Sequence, residues 1–260
     1  MKIVALVKYV PDANGERGFA EDFTVDRECS EGLLSELDEY AVEQALGVAE
    51  ARDEAEVIAL TLGPDEARDA VKRALQMGAD SGIHVNDDRV HGSDALSTGA
   101  ILAAAIGRIG PDLVVCGMSS TDGYLGVLPG MLAEHLGWAG LTNAHDVTVN
   151  GATVRIHRDD DTASVTLEAA LPAVVSVTDQ SGEPRYPSMK GILGARKKPV
   201  DELTLDDLGV DPAQVGLAAA RTRVTAATAR PPKQAGPIVI DDEGSGADAV
   251  VDFLTAGAYR

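Results

Sequence analysis

The stretch from Glu56 to Val85, EVIALTLGPDEARDAVKRALQMGADSGIHV, decides the fold. Glu56 to Leu62 is a short apolar run with β-branched residues, the pattern of a buried strand. It passes directly into Gly63-Pro64. Proline just inside a helix start, followed by Asp65 and Glu66, suits the positive end of the helix dipole. Ala67, Val71 and Ala74 continue that helix to Gly78, and Gly82 to Val85 reads as another short strand. Near-continuous apolar strands joined through a helix imply a parallel sheet covered on both faces.

The alternation continues on both sides. Upstream, Lys2 to Val10 is hydrophobic and ends at Pro11-Asp12, which predicts one buried parallel strand. Residues 13 to 31 read as a long polar loop with a short hairpin around Phe23-Thr24-Val25. Ser35-x-x-Asp38 has the spacing of a capping box, and the helix behind it sets Leu37, Ala41, Ala45 and Ala49 on one face. Downstream, Ser93 to Ile109 predicts a helix with Leu96, Ala100, Ala103 and Ala104 inward, followed by a strand from Asp112 to Cys116. The fold class is therefore α/β, a doubly wound, mostly parallel, Rossmann-like sheet. Such sheets bind ligands beyond the carboxyl ends of their strands, where the strand order reverses. The loops after Val10, Leu62, Val85 and Cys116 are the candidates.

The loop Gly117-Met118-Ser119-Ser120-Thr121-Asp122-Gly123-Tyr124-Leu125-Gly126 is chemically suggestive, and it leads into a helix predicted over Val127 to His135. Glycines allow close backbone approach, and hydroxyls and a helix N-terminus offer donors to an anion. It is neither a Walker A loop nor a GxGxxG fingerprint. From the residues alone, connector and phosphate cradle both remain open.

Ala144 to Arg158 and Thr162 to Ala169 alternate apolar and polar residues around Asn150-Gly151, which predicts an antiparallel addition beside the sheet. Leu171 to Val200, LPAVVSVTDQSGEPRYPSMKGILGARKKPV, opens as a buried strand over Ala173 to Val177. It then turns through Ser181, Gly182 and Pro184, presents Met189, Ile192 and Leu193, and closes on Arg196-Lys197-Lys198. An apolar tip on a basic stem fits a docking loop, and equally an ordinary strand exit with a solvated cation cluster. The domain division drawn from these patterns is 1–200, with the loop at 177–199, and a C-terminal arm at 201–260 ending in an amphipathic helix at about Gly246 to Ala256. That arm packs on its own domain or on a second polypeptide.

Composition narrows the function classes. A formal net charge of −20, with 42 acidic against 22 basic residues and 3% aromatics, argues against a nucleic-acid binder. No apolar run has the length of a membrane span, and the N-terminus reads as a first strand rather than a signal peptide, so the expected location is the cytoplasm without membrane insertion. Cys29 and Cys116 are far apart, and the five histidines are scattered, so no metal site is expected. No general base or nucleophile stands out.

The words LPAVVSVTDQ (171–180), EPRYPSMKGI (183–192) and ARKKP (195–199) resemble the corresponding segment of the β subunit of electron transfer flavoproteins. Family-like wording runs in register from Met1 to about Gly216, and more loosely beyond. The resemblance implies a heterodimer in which an α subunit holds the redox FAD, while the β subunit carries AMP with a structural role. It places nucleotide contacts at Leu6, Ser35, Glu36, Leu37, Asp38 and Leu62, and along Gly117, Met118, Ser119, Ser120, Thr121, Asp122, Gly123, Tyr124, Leu125, Gly126, Val127 and Leu128. It places docking of acyl-CoA or other flavin dehydrogenases at Pro184, Arg185, Tyr186, Met189, Ile192, Arg196, Lys197 and Lys198, with Met189 as the apolar anchor. Electrons would continue to a quinone-linked oxidoreductase, and the C-terminal arm would pack on the α subunit. The resemblance implies no catalytic residue.

Three departures stand out. Asp159-Asp160-Asp161 leads into Thr162-Ala163 where the family expects an acidic-glycine run followed by Glu or Gln. The phosphate loop lacks the Asp/Gln-rich wording of many members. Ala13 replaces an aromatic that some members place near flavin, so no flavin contact is carried over there. The alternatives are a β subunit of a bifurcating, NADH-linked flavoprotein with FAD in this chain, a stand-alone stress-type nucleotide-binding protein or ATP hydrolase, and a scaffold without nucleotide.

Overall fold

The computed structural model describes residues 1–15, 17–228, 231, 241 and 244–256. The chain forms two units, Met1–Ala226 and Ala227–Arg260.

Seven strands build the main sheet of the first unit: β1 (Lys2–Leu6), β2 (Glu56–Leu62), β3 (Ser81–Val85), β4 (Leu113–Gly117), β5 (Ala139–Ala144), β6 (Ala173–Val177) and β7 (Val200–Leu203). Their spatial order is β7-β3-β2-β1-β4-β6-β5, and every neighbouring pair is parallel. The order runs outward in opposite directions from β1, so the switch point lies between β1 and β4. Successive side chains point to opposite faces of a strand, and both faces are covered. Ile3, Ala5, Val57, Ala59 and Val115 pack beneath α1 (Glu36–Glu50) and α2 (Arg68–Met77). Val4, Leu60, Val114 and Val174 pack beneath α3 (Ala95–Ile109) and α4 (Leu128–Leu136). The central strands β1, β2, β4 and β6 are thus buried on both sides, which is why they read as continuous apolar runs.

The predicted strand over Lys2 to Val10 is two pieces. β1 stops at Leu6, and Tyr9–Pro11 pairs antiparallel with Gly32–Leu34. The cause is local: the Lys8 amide leaves the ladder and donates to Asp38 Oδ2 at 2.9 Å. The inward face of α3 is also displaced from the prediction. Ser97, Ile101, Leu102, Ala105 and Ile106 are buried while Leu96 is exposed, because the larger Ile and Leu side chains fill the core ahead of the alanines. β5 went unread, since an edge strand of sequence AGLTNA lacks the apolar signal. The antiparallel addition is present as Asp146–Asn150, Thr153–Asp159 and Ser164–Ala170, and its turn places Gly151 at φ +58°.

The unit also extends past residue 200. β7 pairs with β3, Leu205 is fully buried, and the Arg221 and Thr222 amides donate to Asp94 Oδ2 at 2.8 and 3.2 Å. Within the second unit the described helix, α6, spans Ser245–Thr255 and leaves Val250, Val251, Phe253 and Leu254 exposed. The sequence also expects Pro231-Pro232 to break any helix in this arm, and Pro232 lies outside the described residues.

Candidate functional site

α1 begins beside the switch point, and its first turn departs from the capping box that its sequence spacing suggests. Ser35 occupies the N-cap position, yet its hydroxyl caps nothing. Asp38 turns away from the cap: its Oδ2 accepts the Lys8 amide, and its Oδ1 accepts the Gly117 amide at 3.1 Å. One carboxylate therefore ties the ends of β1 and β4 together across the point where the sheet reverses. Gly117 is required there, since a Cβ would lie 2.7 Å from Asp38 Oδ1 and 3.0 Å from the Leu37 carbonyl carbon. Burial pushes the Asp38 carboxyl up to about 7, against the pull of its two amide donors and of Lys8.

The next loop brings a second carboxylate to the same place. Asp122 Oδ1 accepts from Lys8 Nζ at 2.8 Å, and Oδ2 pairs with Arg27 Nη2 at 3.2 Å. Lys8 Nζ also reaches Ser120 Oγ at 3.2 Å, and Arg27 Nη1 holds the Tyr9 carbonyl at 3.0 Å. Burial works against the charge on Asp122, but Lys8 outweighs it with help from Arg27 and holds the carboxyl at about 2. The outer part of the loop, Gly123 to Val127, is exposed, with Tyr124 at φ +52° and Gly126 at φ +65°.

Of the residues expected to contact nucleotide, Leu6, Ser35 to Asp38, Leu62 and Gly117 to Asp122 gather at the carboxyl ends of β1, β2 and β4. Tyr124, Leu125 and Val127 face solvent. Among the described residues, Ser35 Oγ and Thr61 Oγ1 are buried there without a hydrogen-bond partner, which fits a polar group brought by a ligand. Sequence reading missed Lys8 and Arg27. Lys8 was legible in principle, as the first cation after the strand at the switch point. Arg27 sits in an irregular loop and carries no local signal.

The basic, apolar-tipped segment lies elsewhere. Ser188 caps a short helix, α5 (Met189–Ala195), by accepting from the Gly191 amide. Tyr186 is 84% exposed, Met189 73% and Leu193 57%, while Ile192 and Pro184 are half-buried. Arg196 and Lys197 are exposed. Two residues from the docking set are engaged within the chain instead. Arg185 holds Glu43 and Glu50 of α1, and Lys198 Nζ donates to the carbonyls of Leu75, Gly78 and Ala79 at the end of α2. A half-buried ammonium at a helix C-terminus completes carbonyls that the helix leaves unpaired.

Among the described residues, no group of three or more His, Cys, Asp or Glu is placed to hold a metal, and no helix is long and apolar enough to cross a membrane. Fold and site together define a doubly wound α/β protein with its polar chemistry at the switch point and a separate outward-facing loop. The model of the electron transfer flavoprotein domain family matches residues 22–208. The electron transfer flavoprotein β subunit of Mycobacterium tuberculosis is 46% identical, over 98% of this chain and 97% of its own. That of Megasphaera elsdenii is 30% identical, over 97% and 96%. A caffeyl-CoA reductase–Etf complex subunit, CarD, from Acetobacterium woodii is 30% identical over 92% of each chain. The chain belongs to the electron transfer flavoprotein family, as a β subunit, and a β subunit implies an α-subunit partner.

Proposed function

We propose that this chain is the nucleotide-carrying and docking half of a heterodimeric electron transfer flavoprotein. It holds AMP in a structural role and engages acyl-CoA or other flavin dehydrogenases. Electrons then pass through FAD held mainly by the α subunit to a quinone-linked oxidoreductase, in the cytoplasm, and this chain supplies no catalytic residue. The observation that carries the reading is the outward tip at Tyr186, Met189 and Leu193, flanked by Arg196 and Lys197, on a chain whose net charge is otherwise strongly negative. Apolar anchors bury on contact while cations steer the encounter with an acidic rim.

The polar groups at the switch point suit a nucleotide phosphate in chemistry. Lys8, Arg27, the Ser35 hydroxyl and the amides of residues 119–122 are the groups that would hold it, and Leu6 and Leu62 would pack the base. AMP itself supplies binding energy and no redox chemistry, and it stabilises the fold because it binds only the native state. A second reading makes this chain the FAD-binding β subunit of a bifurcating, NADH-linked flavoprotein, and a relative named as part of a caffeyl-CoA reductase–Etf complex keeps membership of a larger reductase complex in view. The test is to purify the chain, denature it and weigh the released small molecule by mass spectrometry. AMP supports the first reading and FAD the second. A folded chain that releases neither removes the nucleotide from both.

A further inference from the structure

The docking segment is anchored by a clamp that the tip itself does not explain. The Arg185 amide and Nε donate to Glu43 Oε2 at 2.9 and 2.8 Å, and Nη2 donates to Glu43 Oε1 at 3.0 Å. The other edge of the same guanidinium reaches Glu50, through Nη1 to Oε1 at 2.5 Å and Nη2 to Oε2 at 3.0 Å. One arginine is thus bidentate to two carboxylates of α1. Only a planar fork of five donors can do this.

Three further contacts fix the same segment. Gln44 Nε2 donates to the Ser181 carbonyl at 2.5 Å, so α1 also holds the loop before Arg185. Arg73 of α2 lies 5.4 Å from the Tyr186 ring centroid and pairs with Glu39 Oε1 at 2.8 Å. At the far end, Lys198 is fastened to the α2 carbonyls. Gly191 brings α5 so close to α2 that a Cβ would lie 2.4 Å from the Gln76 carbonyl oxygen. The tip is held at both ends, and its apolar side chains remain exposed between them.

We infer that Arg185 is a positioning residue for partner docking: by bridging Glu43 and Glu50 it fixes the exposed 186–193 tip on α1 before a partner arrives. This rests on the docking reading of the loop. A tip ordered in advance loses less conformational freedom on binding, so the clamp raises affinity without touching the partner.

The test uses the holoprotein with its α subunit and flavin, and a flavin dehydrogenase as electron donor. Arg185→Ala is expected to raise the KM of the dehydrogenase for this protein about tenfold, with kcat unchanged and faster amide hydrogen exchange confined to residues 178–193. Arg185→Lys is expected to recover only part of the KM, since an ammonium cannot hold two carboxylates bidentately. Faster exchange with an unchanged KM would make the clamp structural only and overturn the inference, as would unchanged exchange. Met189→Ala run alongside separates the two readings: if it too leaves KM unchanged, the docking assignment of the loop fails rather than the clamp.

Discussion

Asp38 Oδ1 accepts the Gly117 amide at 3.1 Å, joining the first turn of α1 to the end of β4 across the reversal of the sheet. The other oxygen of the same carboxylate holds the Lys8 amide beyond β1. Burial raises this carboxyl to about 7, from an ordinary value of 3.8. Between those values the folded chain binds the proton and the unfolded chain does not, so Asp38 makes stability fall as pH rises through the folded value. The expected contribution approaches a tenfold rise in the unfolding constant per pH unit between about 5 and 7. Chemical denaturation across that window, compared with Asp38→Asn, isolates it. The variant should lack this component of the slope, and equal slopes in the two proteins would place the carboxyl in its ordinary range.

The capping-box spacing at Ser35 and Asp38 shows how much of this was legible. It correctly marked the start of α1, because Ser and Asp favour helix starts whatever their partners. It misread the partners, because the amides that claim Asp38 belong to residues 30 and 79 positions away in the chain. The parallel sheet was legible from apolar runs such as EVIALTL, whose both-faced burial leaves no alternation. The edge strand β5 was not, since half of AGLTNA faces outward. Likewise the resemblance placed Arg185 and Lys198 among the docking residues, and nothing in the sequence showed their partners within the chain, since only folding brings α1 and α2 against them.

Asp122 gathers Lys8 and Arg27 at 2.8 and 3.2 Å, with its side chain nearly buried. Asp122→Ala leaves two cations without their carboxylate and should cost about 2 kcal/mol of stability, read as a lower denaturation midpoint. It should also reduce the nucleotide that co-purifies with the chain, because the loop loses its tie to β1. The depressed carboxyl fixes the sign of the pH effect. Its stabilisation is present above about pH 4 and is lost as pH falls toward 2. An unaltered nucleotide content would take the loop out of the binding site.

Gly117 and Gly130 make a matched pair. A Cβ at Gly117 meets Asp38 and the Leu37 backbone inside the sheet, whereas one at Gly130, on the exposed side of α4, meets nothing within 4 Å. Gly117→Ala should destabilise by about 1–3 kcal/mol, since the nearest atom, Asp38 Oδ1, is held by two amides and the Leu37 backbone lies close beside it. Gly130→Ala should stabilise by up to about 1 kcal/mol, the helix-propensity difference between the two residues. Thermal unfolding of both variants checks the pair, and a stable Gly117→Ala protein would contradict the close approach of α1 to β4.

Met189 is 73% exposed at the first position of α5, so little of its side chain contributes to the folded chain. Met189→Ala should therefore leave the denaturation midpoint and nucleotide content within error. If the tip anchors a flavin dehydrogenase, the same change removes an apolar side chain that is buried only in the complex. A loss of more than about 1 kcal/mol in binding follows for an anchor of that kind, equivalent to a rise in KM of about fivefold or more. Methionine suits the position because its unbranched, polarisable chain adapts to differently shaped pockets, so Met189→Leu should retain most of the activity with one dehydrogenase while altering the ranking among several. Steady-state electron transfer at varied concentrations of this protein measures both variants. A fall in stability with an unchanged KM would assign Met189 to the fold and leave the exposed tip without its anchor.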